Sequence, residues 1–259
     1  EGIYVGYRYT ETRYEDVVSN RSNVGSFNYE DVVSYPFGYG LSYTTFAYSN
    51  FNVEKVIGTT ESYKLSVDVK NTGNVAGKES VQFYVSKPYT NYDVNNGIEK
   101  ASVDLIGFEK TKLLKPGDSQ TLTYKVDGDV LASYDAYNAK TYIVDAGNYY
   151  FTVGHDAHNA TNNVIAAKGG MDANKMVDIG GFGNGSSALT KKISKDFDDK
   201  TYAKSKYTGV EITNQFDDVD MLTYDGAGST NKANMKYITR NNWKDTVKLA
   251  WSNYEKGEW

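Results

Sequence analysis

Short runs in which apolar and polar residues alternate, each closed by a turn signal, constrain this chain more than any other pattern in it. Ser62 to Lys70 reads SYKLSVDVK, with Tyr63, Leu65, Val67 and Val69 on one face and Lys64, Ser66, Asp68 and Lys70 on the other. A period of two belongs to a strand with one buried side. NTGNVAG, from Asn71 to Gly77, then leads into KESVQFYVS, where Val81, Phe83 and Val85 repeat the pattern, so the two runs read as antiparallel neighbours. LIGFEKTKLLKPG closes at Pro116 and Gly117. SQTLTYKV puts Leu122, Tyr124 and Val126 inward, and AGNYYFTVG does the same with Tyr149, Phe151 and Val153. About seven such strands with no helical period among them predict an all-β chain built as a β-sandwich.

The chain reaches this region through YPFGYGLSYTTF, Tyr35 to Phe46. Pro36 fixes one backbone dihedral, and Gly38 and Gly40 are free to take positive φ, so a sharp turn is expected among Tyr35, Phe37 and Tyr39. Such a turn carrying so many rings suits a junction between two packed bodies. Beyond Asn159 the composition shifts to glycine, asparagine and polar residues, with GGFGNGSS at Gly180 to Ser187 as the extreme, and reads as linker or surface loop. Near the end, Asn242 as an N-cap, Trp243, Val247, Ala250, Trp251 and Tyr254 at helical spacing, and Gly257 as a stop predict an amphipathic helix over 242–256. Tryptophans 243, 251 and 259 all lie in the last 17 residues, so the helix is expected to bury its aromatic face on the sandwich or on a neighbouring domain.

YPFGYGLSYTTF closely resembles the junction leading into the fibronectin type III-like domain of glycoside hydrolase family 3, the β-glucosidase and β-xylosidase family. EGIYVGYRYTETR, Glu1 to Arg13, resembles the end of that family's α/β-sandwich domain, where the last strand leaves the sheet. VKNTGNVAGKESVQFYVS, LIGFEKTKLLKPGDSQTLT and AGNYYFTVG resemble its fibronectin-like strands. The resemblance implies a fibronectin type III-like or immunoglobulin-like β-sandwich over 41–159, with irregular N- and C-terminal extensions and a short C-terminal helix. Residues 1–40 are then the end of the α/β-sandwich domain and the junction, and 160–259 a connector toward a (β/α)8 barrel. YTGVEITNQFDDVDM and YITRNNW resemble that connection in circularly permuted members, in which the barrel follows the fibronectin-like domain. The chain opens on Glu1 rather than methionine and stops at Trp259, and is expected to be part of a longer polypeptide.

Retaining members of the family use a carboxylate nucleophile and a carboxyl acid/base about 5 Å apart. The resemblance puts the nucleophilic aspartate in the barrel and the acid/base glutamate in the α/β sandwich, and neither segment is here. Asn241-Asn242-Trp243 has no carboxylate where the barrel's Ser-Asp-Trp motif carries its nucleophile, so no catalytic residue is transferred. The implied role is a non-catalytic brace for the parent's catalytic domains. Its junction residues are expected to be Tyr35, Pro36, Phe37, Gly38, Tyr39, Gly40 and Tyr43, with Tyr7 and Tyr9 as packing partners. A β-glucoside or β-xyloside would be met only through the parent.

Composition removes other classes. A net charge of -5 with no basic cluster argues against nucleic acid, the absence of cysteine excludes disulfides and thiolate sites, and no apolar run reaches the length of a membrane span. No cofactor or metal is expected. The acidic group Asp217, Asp218, Asp220 and Asp225 fails the EF-hand spacing and reads as a solvated loop, and His155 and His158 read as residues of an exposed turn rather than ligands. GGFGNGSS lacks the lysine and helix start of a phosphate loop. The 24 tyrosines read first as strand residues and second as a sugar-stacking surface. A free-standing carbohydrate-binding module, using exposed strand tyrosines such as Tyr84 or Tyr150, is therefore the alternative. An adhesive repeat is disfavoured because no internal repeat is present. The parent's glycoside, its localisation and its oligomeric state stay open.

Overall fold

A computed structural model describes residues 2–58, 60–214 and 238–243. In chain order the elements are α1 (Tyr7–Val18), α2 (Tyr29–Val32), β1 (Phe46–Val56), β2 (Ser62–Asn71), β3 (Ser80–Ser86), α3 (Asn91–Asn96), β4 (Asp104–Lys110), β5 (Ser119–Asp127), β6 (Ser133–Asp135), β7 (Thr141–Ile143), β8 (Gly147–Gly154), α4 (Ala157–Lys168) and β9 (Thr190–Lys195). The strands make three open sheets, ordered β1-β2-β5, β4-β3-β8-β9 and β6-β7. The fold is therefore mixed α and β, with four helices dispersed among the described residues, and the expectation of an all-β sandwich with only a short C-terminal helix is overturned.

The helices escaped the sequence reading because of what they bury. In α1, YRYTETRYEDVV, the buried residues are Glu11, Thr12, Tyr14, Glu15, Asp16 and Val18, so the inward face is largely charged and polar and carries no apolar period. In α4, AHNATNNVIAAK, every residue from Ala157 to Ile165 is buried, three asparagines among them, and a helix covered all round shows no amphipathic stripe. Asp156 caps α4 by accepting the Asn159 amide at 2.7 Å. The N-terminal segment expected to be leaving a sheet as a strand is thus helix from Tyr7, and the supposed linker after Asn159 begins inside a buried helix.

The two larger sheets share one core. Tyr63, Leu65, Val67, Val69, Leu122 and Val126 from the first meet Val81, Phe83, Val85, Tyr149, Phe151 and Val153 from the second, all buried. Ring contacts join the sheets, Tyr63 to Phe151 at 5.0 Å and Phe83 to Tyr124 at 5.4 Å. The inward sets agree with the period-two reading, but the pairing does not. β2 lies between β1 and β5, whereas β3 lies between β4 and β8, so the turn after Asn71 carries the chain across to the other sheet. Buried Asn71 holds this crossing: its Nδ2 donates to the Val75 and Leu114 carbonyls, and its Oδ1 accepts from Thr44 Oγ1 and the Gly73 amide. A period of two fixes which face a residue takes and leaves the partner strand undetermined.

β3 is buried on both faces. Its Tyr84 turns away from the shared core and packs with Val103, Ala157, Ala160 and Val164, so α4 covers the outer face of the second sheet. After the glycine-rich loop, where the Asp178 carboxylate accepts the Phe182 and Gly183 amides, the chain returns as β9 and pairs antiparallel with β8. Among the described residues no helix is long and apolar enough to cross a membrane.

Candidate functional site

Two assemblies on the helical side are the candidates for function, the loop over 35–43 expected to be a junction and a polar clasp around α1. In the junction, Pro36 is buried while Tyr35, Phe37 and Tyr43 are 74%, 48% and 98% exposed. Tyr7 stacks on Phe37 at 4.7 Å, meets Tyr84 edge-on at 6.4 Å, and accepts the Leu105 amide on its hydroxyl at 3.0 Å. Burial lifts the Tyr7 phenol above its ordinary range. Tyr9 packs edge-on against Phe27 and Trp243, and Tyr35 lies tilted on half-buried Tyr39 at 5.2 Å.

Gly38 takes φ +86°, where a Cβ would strike the Gln82 side chain; Gly40 does not adopt positive φ. Gln82 explains the tightness. Its Nε2 donates to the carbonyls of Gly38 at 3.0 Å and His155 at 2.7 Å, while its Oε1 accepts the Tyr84 hydroxyl at 2.6 Å. The Ala157 amide donates to the Phe37 carbonyl at 2.9 Å, so the loop is pinned to β3 and to the start of α4.

The clasp forms where residues 238–243 return to α1. Arg240 donates from Nε and an Nη to Asp16 Oδ1 at 3.0 and 2.7 Å, and to Glu15 Oε2 at 2.8 Å. Trp243 Nε1 donates to Asp16 Oδ2 at 2.7 Å, and Lys168 of α4 reaches Glu15 Oε1 at 2.5 Å. The Arg240 amide and the Tyr4 hydroxyl both donate to Glu99 Oε2 at 2.8 Å, and Thr239 adds a bond to the same carboxylate. Tyr4 lies edge-on against Trp243 at 4.9 Å, and the guanidinium sits over Tyr89 at 5.3 Å.

Asp16, Glu15, Arg240 and Trp243 are all at most 4% exposed, so these charges are matched in a water-poor interior. Burial pushes the Glu15 carboxyl up, but Lys168 and Arg240 outweigh it and hold it at about 2. Burial pulls Arg240 down, and Glu15 and Asp16 more than reverse that. Trp243 is thus docked; the predicted helix from 242 to 256 otherwise lies outside the described residues, as do Asp217, Asp218, Asp220 and Asp225.

His158 is not in an exposed turn. It is 1% exposed inside α4, stacked on Tyr29 at 4.2 Å, with Nδ1 3.0 Å from Glu11 Oε2 and Nε2 2.9 Å from the Val177 carbonyl. Tyr29 donates to the other Glu11 oxygen. Burial lowers the His158 pKa, yet the Glu11 bond and charge and the Val177 carbonyl raise it further, because both ring nitrogens face acceptors. His155, half-buried, bonds to Glu79 instead. No group of three or more ligands for a metal ion exists among the described residues. Tyr84 is fully buried and Tyr150 half-buried, so neither offers the open ring expected of a sugar-stacking strand tyrosine.

Residues 35–43 thus form one loop onto which Tyr7 of α1 packs through Phe37, whereas Tyr9 turns to Phe27 and Trp243 instead; no expectation covered the clasp. Asp16, Glu15 and Arg240 carry no sequence signal, since charged residues in a polar helix read as a solvated face.

The fibronectin type III-like domain matches residues 79–157, from the start of β3 to the start of α4. A Ruminococcus albus β-glucosidase is 39% identical over 164 residues, 62% of this chain and 15% of that protein. The chain is homologous to family 3 β-glucosidases. Thermostable β-glucosidase B of Acetivibrio thermocellus is 33% identical over 180 residues, 69% of this chain and 20% of that protein. Two solved neighbours are a Bifidobacterium adolescentis GH3 β-glucosidase, TM-score 0.51 at 27% identity, and β-glucosidase 3B of Thermotoga neapolitana with glycerol, TM-score 0.50 at 30%. Each is matched over 76% of this chain and 22% or 20% of its own length. The chain spans about a fifth or less of the length of these β-glucosidases, and so corresponds to only a part of larger enzymes.

Proposed function

We propose that this chain is a non-catalytic structural module of a family 3 glycoside hydrolase of the β-glucosidase or β-xylosidase type, and that it braces the catalytic domains against each other. In this reading residues 1–40 carry the end of the α/β-sandwich domain and the junction, 41–159 the fibronectin-like part, and 160–259 the connector toward a barrel, in the order of a circularly permuted member. The observation that carries it is the Arg240 clasp. Residues 238–243 are drawn back onto the first helix, so Tyr4 and Trp243 touch and the N-terminal segment is tied to a segment that follows the sheets. Catalysis by two carboxylates from different domains tolerates little relative movement, and a buried ion-paired clasp is stiff.

The test has two arms. The chain by itself, given an aryl β-glucoside, is expected to show no turnover; hydrolysis abolished by mutating a carboxylate within 1–259 would defeat the non-catalytic part. In the parent enzyme, Arg240→Met is expected to lower kcat with little change in KM, and an unchanged kcat in a folded variant would defeat the bracing part.

A further inference from the structure

The junction loop is also one wall of a groove of about 510 Å³, whose floor comes from the start of β3 and the end of β4 and whose far wall is His155 with residues 180–182. Small-molecule sites commonly occupy about 300–1,000 Å³ and combine apolar surface with a few oriented polar groups. Among its lining residues Glu79 is fixed on one side only. Oε1 accepts the Tyr48 hydroxyl at 2.6 Å and faces His155 Nδ1 at 2.8 Å, whereas Oε2 has no hydrogen-bond partner among the described residues. The His155 ring is held between Tyr48 and Phe182, each with its centroid 4.0 Å away, and Phe182 remains 39% exposed. Lys78 and Lys110, both exposed, also line the groove and have no ion-pair or hydrogen-bond partner among the described residues.

These groups select a ligand class. An anion would meet the Glu79 carboxylate, a cation the two ammonium groups, and a flat apolar molecule would leave the carboxylate unpaired at a cost. A polyhydroxylated ring satisfies all three: its hydroxyls donate to Oε2 and accept from the lysines, while its C–H face lies on the phenyl ring. We propose that this groove is a non-catalytic binding site for a neutral pyranose of an oligosaccharide. Glu79 would be its oriented acceptor and Phe182 its platform. The inference is independent of the bracing role, which needs no ligand here.

The experiment is a calorimetric titration of the chain with cellobiose, repeated on Phe182→Ala, Lys110→Met and Glu79→Gln. Saturable binding with a dissociation constant on the order of 1 mM is expected, since a shallow solvated groove leaves only a small surplus over the cost of association. Phe182→Ala should weaken it by about two- to tenfold with far-UV circular dichroism unchanged, the scale of losing one stacked ring. Lys110→Met alters only an exposed side chain and should weaken binding measurably. Glu79→Gln should abolish it. Flat titrations into tens of millimolar, binding untouched by all three variants, or binding of inorganic phosphate in place of cellobiose would each overturn the proposal.

Discussion

Replacing Arg240 by methionine keeps much of the side-chain volume and removes the charge that joins residues 238–243 to α1. Three hydrogen bonds to buried carboxylates are lost, two at Asp16 and one at Glu15. Breaking a buried ion pair by deleting one partner costs about 3–5 kcal/mol, because the other charge stays buried without compensation. Here compensation is partial. Asp16 keeps the Trp243 indole and Arg21 at 3.2 Å, and Glu15 keeps Lys168, so the lower end, about 3 kcal/mol, is expected. For a chain of this size that corresponds to a fall of roughly 6–12 °C in Tm.

The assay is urea and thermal unfolding of wild type, Arg240→Met, Asp16→Asn and the double variant, from which the coupling follows directly. An acid titration adds a signature specific to the clasp. The Glu15 pKa is depressed, so its contribution is complete above its ordinary value of 4.5 and is lost as pH falls through about 2. Without Arg240 the folded-state value rises, and the acid unfolding limb should move to higher pH. A loss below about 0.5 kcal/mol, the scale of a surface substitution, together with an unmoved acid limb would refute the reasoning.

Gly38→Ala should destabilise the fold by about 2–4 kcal/mol, combining the cost of positive φ with disruption of the Gln82 bonds; Gly40→Ala, with open space around it, serves as the neutral control in the same urea series. His158 should give the opposite pH dependence to Glu15. Its folded pKa is raised, so its stabilisation is complete below about 6.5 and is lost as pH rises through the raised value. Glu11, Asp156, Tyr14 and Tyr29 surround it, and His158→Gln should flatten stability above neutral pH; an unchanged profile would show that another group is responsible.

Legibility followed chemistry residue by residue. Tyr63, Leu65, Val67 and Val69 announced their inward face because β2 alternates, whereas the sheet each strand joins was invisible, and β2 and β3 proved to lie in different sheets. α1 and α4 were hidden for a common reason: Glu11, Glu15, Asp16, Asn162 and Asn163 are buried polar residues, and hydrophobic periodicity registers only apolar burial. In the candidate site, the Pro36–Gly38 turn was readable from local backbone chemistry. Its anchor, Gln82, was not, because it sits 44 residues away.

The sequence alone determined the inward faces of the strands, the turn at Gly38 and the likeness to family 3 β-glucosidases, since each rests on neighbouring residues or on a contiguous string. Only the tertiary structure decided that α4 would cover the outer face of the second sheet, that His158 would be buried against Glu11, and that Arg240 would close on Asp16 across 224 positions. A charge becomes an interior group only when its partner arrives, and that partner is specified by the folded path of the chain.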